Sequence, residues 1–132
     1  MNEISAIGVM SGSSLDGLDI CYCEYKYTES KWQFKNLKGE TIPFPKDIYS
    51  QLINVGEFSG RKLTELDVRL GIWIGQMIRN FCQRHQYQPN VIGSHGHTVF
   101  HNPKGRYSIQ IGSGQAIASY AKIPTINDFR SK

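Results

Sequence analysis

The sequence predicts an α/β domain on a mixed five-stranded sheet: a three-strand meander, then helices alternating with strands. Three observations carry that prediction. Apolar, β-branched and aromatic runs fill the chain from Ile4 to Ile42 with only short polar breaks, and strands so closely joined pair as antiparallel hairpins. From Leu63 to Phe81 the apolar spacing changes to threes and fours, the mark of a helix with one buried stripe. Beyond it, two short apolar segments flank a second helical stretch, and strands connected through helices pair in parallel.

Ile4 to Met10 reads as the first strand, apolar on both faces and therefore central. Leu18 to Tyr27 is the second and Trp32 to Ile42 the third, with a turn at Glu29-Ser30. Pro43 and Pro45 end the meander, and Lys46 to Asn54 forms a short helix closed near Gly56. Leu63, Leu66, Leu70, Trp73, Met77 and Phe81 line one face of the long helix, which runs to about His85. Thr64 to Asp67 has the spacing of a capping box at its start. Val91 to Ser94 is a buried strand, Tyr107 to Ile111 a candidate small strand, Ser113 to Ala121 a helix, and Ile123 to Asn127 the last strand, ending at Asp128. In a sheet of this kind ligands gather beyond the carboxyl ends of the strands. Ser11, Ser94 and Asp128 all fall there.

Composition narrows the function. At 132 residues and 39% hydrophobic content the chain is one globular domain. No apolar run approaches the roughly 20 residues of a membrane helix, and the start MNEISAIG lacks the basic flank of a signal peptide. The cytoplasm is the expected location. Three cysteines, Cys21, Cys23 and Cys82, make an odd count unsuited to a disulfide framework. They read as reduced thiols, Cys21 and Cys23 sharing one strand face. Net charge is +4, with ten of the eleven carboxylates before residue 68. The basic second half suits an anionic ligand, but no Lys/Arg block interleaved with aromatics points to nucleic acid.

Between the first two strands lies IGVMSGSSLDGLDI, residues 7–20. Gly12 and Gly17 allow unusual backbone angles and close approach. Consecutive turn amides make a concave anion site, and Ser11, Ser13 and Ser14 add hydroxyl donors. Asp16 and Asp19 suit an anion that arrives with a divalent cation, because magnesium prefers carboxylate, water and phosphate oxygens. The combined chemistry is that of a nucleoside triphosphate with its metal, and a ligand-free polar hairpin turn is the competing reading. No Lys follows the glycines and a strand rather than a helix comes next, so this is neither a Walker loop nor a dinucleotide fingerprint.

A phosphate loop between hairpin strands is similar to that of the sugar kinase, actin and heat-shock ATPase superfamily. GVMSGSSLDGLD (8–19) resembles the opening motif of the anhydro-N-acetylmuramic acid kinase family, GxMSGTSxDGxD. IGSHGHTVFHNP (92–103) resembles its second motif, GSHGQTVxHxP, and SIQIGSGQAIA (108–118) and IPTINDFR (123–130) resemble the third and fourth in order. The likeness covers essentially the whole chain.

The resemblance implies a ribonuclease H-like sheet, residues 1–132 forming the amino-terminal lobe of a two-lobed kinase. It implies an enzyme that uses ATP with magnesium and water to open the 1,6-anhydro bond of anhydro-N-acetylmuramic acid. The product is N-acetylmuramic acid 6-phosphate, in bacterial cell-wall recycling. ATP binding then falls to Ser11, Gly12, Ser13, Ser14, Leu15, Asp16, Gly17, Leu18 and Asp19. Asp16 or Asp19 lies near magnesium. Sugar binding falls to Ser94, His95, Gly96, His97 and Thr98, with Asp128 and Arg130 from the fourth motif. A homodimer of the longer enzyme is the expected assembly. Ser13 stands where the family usually has Thr, His97 where it has Gln, and Ser113 where Asp is common. The family's DFR continues as DFRxxD, whose last Asp is the catalytic base; it falls beyond Lys132, so the 132-residue chain is expected to be inactive by itself. Two alternatives stay open: an isolated nucleotide-binding lobe, or another kinase of the superfamily. Hexokinase-type members carry an Asp ahead of the loop glycines, where this chain has Val9 and Met10.

Rival chemistry in the histidine segment is weaker. Ser94 and His95 are adjacent on an extended chain and point to opposite faces, a poor nucleophile and base. His95 and His97 alternate onto one face but lack a third metal ligand.

Overall fold

The computed structural model describes residues 2–130, so Ser131 and Lys132, the end of the fourth motif's DFRSK, lie outside the described residues. The elements run β1 (Glu3–Ser11), β2 (Leu18–Thr28), β3 (Lys31–Ile42), α1 (Lys46–Ile53), α2 (Gly60–His85), β4 (Val91–Asn102), β5 (Tyr107–Ile111), α3 (Gly114–Ala121) and β6 (Thr125–Asn127), with a 3₁₀ turn over Val55–Glu57. The sheet has six strands, not five, in the order β3-β2-β1-β4-β5 with β6 also on β4. The additional strand is β5. It folds back on a β4 that continues to Asn102, pairing Asn102 with Tyr107 and His97 with Ile111. β1 pairs antiparallel with β2 and parallel with β4, and β6 lies parallel to β4. The sheet is thus mixed, as expected.

Local chemistry explains the boundaries. Glu29 and Ser30 both adopt left-handed angles, φ 51° and 64°, the two-residue hairpin geometry that matches strand twist. Helix α2 starts at Ser59, whose hydroxyl accepts the Lys62 N–H at 3.2 Å. The capping box expected at Thr64 does not form: Thr64 is already helical and its hydroxyl donates to the Gly60 carbonyl at 2.8 Å. Arg84, in the last turn of α2, pairs with Glu40 on β3 and holds its carboxyl below the usual carboxylate range.

All three helices cover one face of the sheet. Leu66, Leu70, Ile74, Ile78 and Phe81 of α2 and Ile117 of α3 pack on Ile7, Val9, Leu18, Ile20 and Ile92. The opposite face carries Met10, the half-buried Cys21 and Cys23, and the exposed rings of Trp32 and Phe34. No helix among the described residues is long and apolar enough to cross a membrane.

Candidate active site where β1 ends beside β4

The β1–β2 loop is a tight turn closed by the Leu15 N–H donating to the Gly12 carbonyl at 3.1 Å. Leu15 takes a left-handed φ of 57° and its side chain packs on the core, while Leu18 is fully buried. These two leucines anchor the loop and leave Ser13, Ser14 and Asp16 exposed at its tip. Asp19 is exposed on β2, where the Thr41 hydroxyl donates to it at 2.6 Å.

The two loop glycines differ. Gly17 has φ 148°, and a Cβ there would overlap the Ile42 carbonyl oxygen and lie 2.8 Å from its carbon. A Cβ at Gly12 would meet only Ser14 Oγ, at 3.7 Å. Of the two glycines expected to allow unusual angles or close approach, Gly17 is required by its positive φ and by the β3 carbonyl beside it, whereas Gly12 has no positive φ and no neighbour within 3.4 Å of a Cβ.

Ser11 also differs from its expected role as a loop donor. Its side chain is buried and turned inward, with Oγ 2.8 Å from His97 Nδ1. This buried contact ties the end of β1 to the middle of β4, where their parallel pairing stops. Burial pushes the His97 imidazole below its ordinary value, with a backbone hydrogen bond to Ser11 opposing the shift. The linkage has a definite sign. The unfolded chain protonates His97 near its ordinary value while the folded chain resists, so stability holds above about pH 6.5 and falls as pH drops. Urea midpoints at pH 7.5 and pH 5 should separate more in the natural chain than in His97→Gln; equal separation would remove His97 as the source.

A β-bulge decides which way the second motif faces. Val9 pairs with Ser94 and Ser11 with His97, so β4 carries one residue more than β1. The additional residue is accommodated at Gly96, φ 74°, where a Cβ would overlap the Ile111 carbonyl oxygen. Ser94 and His97 consequently share the buried face, and His95 turns to the other. The expected His95–His97 alternation onto one face is thereby corrected. Arg130 Nε donates to His95 Nε2 at 3.2 Å, and His95 Nδ1 lies 3.3 Å from the Gly96 carbonyl. Among the described residues no three His, Cys, Asp or Glu converge on a metal site. Ser94 is 1% exposed and its hydroxyl finds no partner among the described residues. A buried polar atom left open in this way is suited to a bound molecule or water.

Ser94, His95, Gly96 and Asp128 line one polar cleft of about 510 Å³, with Asn127 and the Gly112–Gly114 turn on the far wall. Thr98 is outside that lining and accepts from Gln110 Nε2 at 3.3 Å. Asp128 is exposed with φ 61°. Depressions of similar volume at the amino-terminal edge of the sheet and beside the end of α2 hold none of the expected site residues.

Asp67, read from sequence as part of a cap, is instead a wall of the cleft. Its carboxylate accepts the Gly112 N–H at 2.8 Å and its carbonyl the Ser113 N–H at 2.9 Å. Ser113 then caps α3 through Ala116 N–H at 3.2 Å, so a serine in place of the family's common Asp keeps a capping oxygen. Asn127 packs against Gly114, whose Cβ would lie 2.6 Å from the amide. The signal that could have found Asn127 is its position one residue before Asp128, at a strand's carboxyl end.

The comparisons with known proteins concern the chain as a whole. A family model described as anhydro-N-acetylmuramic acid kinase matches residues 4–132. The anhydro-N-acetylmuramic acid kinase of Actinobacillus pleuropneumoniae serotype 5b is 40% identical over 134 residues, covering 96% of this chain and 35% of that protein. Those of Microcystis aeruginosa and a Sulfurovum species are 38% and 35% identical, covering 95% and 100% of this chain but 35% and 38% of their own lengths. The chain therefore spans little more than a third of these relatives. With the family model matched along nearly its whole length, the chain belongs to the anhydro-N-acetylmuramic acid kinase family.

Proposed function

We propose that this chain supplies the nucleotide loop and part of the sugar cleft of a cytoplasmic kinase. Its substrate is anhydro-N-acetylmuramic acid, and the reaction belongs to cell-wall recycling. The fold is read as the ribonuclease H-like amino-terminal lobe, residues 1–132, with the second lobe supplied by further sequence. Water adds its oxygen to the anomeric carbon, the released 6-oxygen takes the γ-phosphoryl group, and ADP leaves. The observation that carries the reading is the Ser11–His97 contact of 2.8 Å, which joins a nucleotide-type loop to the strand whose residues 94–96 line the polar cleft, at the point where β1 and β4 part.

The residues at the loop tip fit ATP with magnesium. Ser13 and Ser14 are exposed hydroxyl donors for phosphate oxygens, and the exposed Asp16 carboxylate suits the cation's hydration shell. Magnesium, when bound, neutralises charge on the transferred phosphoryl group. Ser11, Leu15, Gly17 and Leu18 set the loop's shape rather than touch the nucleotide, and Asp19 holds the edge of the loop through Thr41. On the sugar side Ser94 and Asp128 face the bound ring, and Arg130 acts through His95. Dimerisation belongs to the longer enzyme.

Gly12 provides the test. In a chimera whose residues 1–132 replace the matching third of the Actinobacillus relative, Gly12→Val should abolish sugar-dependent ADP release. Thermal stability should change little, because a Cβ at Gly12 would meet only Ser14 Oγ, at 3.7 Å. Full activity in that variant would refute phosphate binding at the loop, and lost activity with lost stability would refute the spatial argument.

A further inference from the structure

The outer face of the sheet carries a second group of chemically able side chains, remote in role from the cleft. Cys21 and Cys23 project from the same face of β2 with their sulfurs 3.5 Å apart, both as free thiols. A bulge on β3, where Tyr22 pairs with Lys38 but Cys23 with Asn36, brings Asn36 opposite them. Its Oδ1 lies 2.7 Å from Cys21 Sγ and 3.8 Å from Cys23 Sγ. Three soft or neutral donors therefore converge on one point.

The surroundings keep that point open. Cys21 is flanked in register by Gly8 on β1 and Gly39 on β3, and Cys23 by Ala6. A Cβ at Gly8 would meet nothing within 4 Å, and one at Gly39 only the Ile20 carbonyl, at 3.7 Å. Asn36 reaches Cys21 from β3, while the two positions that flank Cys21 in register carry no side chain. All three helices lie on the opposite face.

We infer that Cys21 and Cys23, with the Asn36 carbonyl oxygen, form a chelating site for a thiophilic divalent cation of the zinc and cadmium class. Two thiolates bound at about 2.3 Å with a near-tetrahedral angle at the metal stand about 3.8 Å apart, so the present separation requires an adjustment of a few tenths of an ångström. Each thiol gives its proton to solvent as its sulfur binds: two S–H groups and one M²⁺ yield the dithiolate complex and two H⁺. Asn36 Oδ1, which now accepts from Cys21, becomes free to meet the cation, and water completes the shell. Thiolate ligands favour this class of metal over magnesium or calcium. Because thiolates, not thiols, bind the cation, binding must release protons.

The probe is cadmium ion alone, titrated into the reduced, intact chain. The expected result is a thiolate-to-metal ultraviolet absorption that saturates at one cadmium per chain, with release of about two protons. Cys21→Ser or Cys23→Ser should weaken binding at least about 100-fold and Asn36→Ala about tenfold. Cys82 is the internal control, since it is buried on α2; Cys82→Ala should bind as the natural chain does. Should a serine variant fold poorly, alkylation of the natural chain decides: cadmium should protect Cys21 and Cys23 together, read by mass spectrometry. Absent absorption, absorption retained in the Cys21→Ser/Cys23→Ser double variant, one cadmium shared by two chains, or protection of neither cysteine would each overturn the site.

Discussion

The chimera carrying residues 1–132 ahead of the remaining two-thirds of the Actinobacillus relative should release ADP from ATP only when anhydro-N-acetylmuramic acid is present. The 132-residue chain alone should release none above background. Phosphoryl transfer requires the attacking oxygen and the γ-phosphorus held in line, and superfamily enzymes achieve this by closing two lobes on the nucleotide. The loop tip at Ser13, Ser14 and Asp16 is open to solvent, so on the function proposed above these residues would contact phosphate from one side only. On the same proposal the proton acceptor is supplied by further sequence, and loss of a general base alone typically costs about 10²–10⁴-fold. Appending one Asp at the family spacing should therefore not restore turnover, because the opposing wall of the site is the larger deficit. Sugar-dependent ADP release by the 132-residue chain would overturn this division of labour. An inactive chimera that melts cooperatively would overturn the functional reading itself.

How much of this was legible in the sequence depends on whether the signal was local. The meander, α2 and the placement of Ser11 and Asp128 at strand ends follow from period and punctuation, which a linear reading contains; Ser94, expected at a strand's end, lies inside β4, which runs on to Asn102. The sixth strand does not. Tyr107–Ile111 is short and half polar, and it becomes a strand because β4 continues past its apolar part to Asn102 and offers an edge. Likewise SHGH reads as plain alternation until β1 lies beside it; only the register reveals the additional residue that turns His95 away from His97. Asp67 sits on an ordinary helix face, and its role arises from where the turn at Gly112 and Ser113 lands. In the loop, the family resemblance implied nine ligand contacts, but Ser11 and Leu18 are buried. Their neighbours in space, not in sequence, decide this.

Gly17→Ala and Gly96→Ala should each destabilise the fold by about 3 kcal/mol or more, whereas Gly12→Ala should stay within about 1 kcal/mol. The two sensitive glycines share a geometry. Gly17 has φ 148° and Gly96 φ 74°, angles that L side chains rarely adopt. In each, the missing Cβ is where a carbonyl of the adjoining segment sits, Ile42 for Gly17 and Ile111 for Gly96. Neither carbonyl belongs to a flexible side chain that could swing aside. Ile42 closes β3 opposite Leu18, and Ile111 pairs with His97, so relief means unpairing a strand end. Domain stability is typically about 5–15 kcal/mol, so one substitution removes a large share of it and the pair together should leave the chain unfolded at 25 °C. Urea unfolding followed by circular dichroism measures all three variants. A midpoint for Gly17→Ala or Gly96→Ala matching that of Gly12→Ala would mean that the strand ends yield freely. The loop and the bulge would then be soft, and the register that separates His95 from His97 would lose its structural cause.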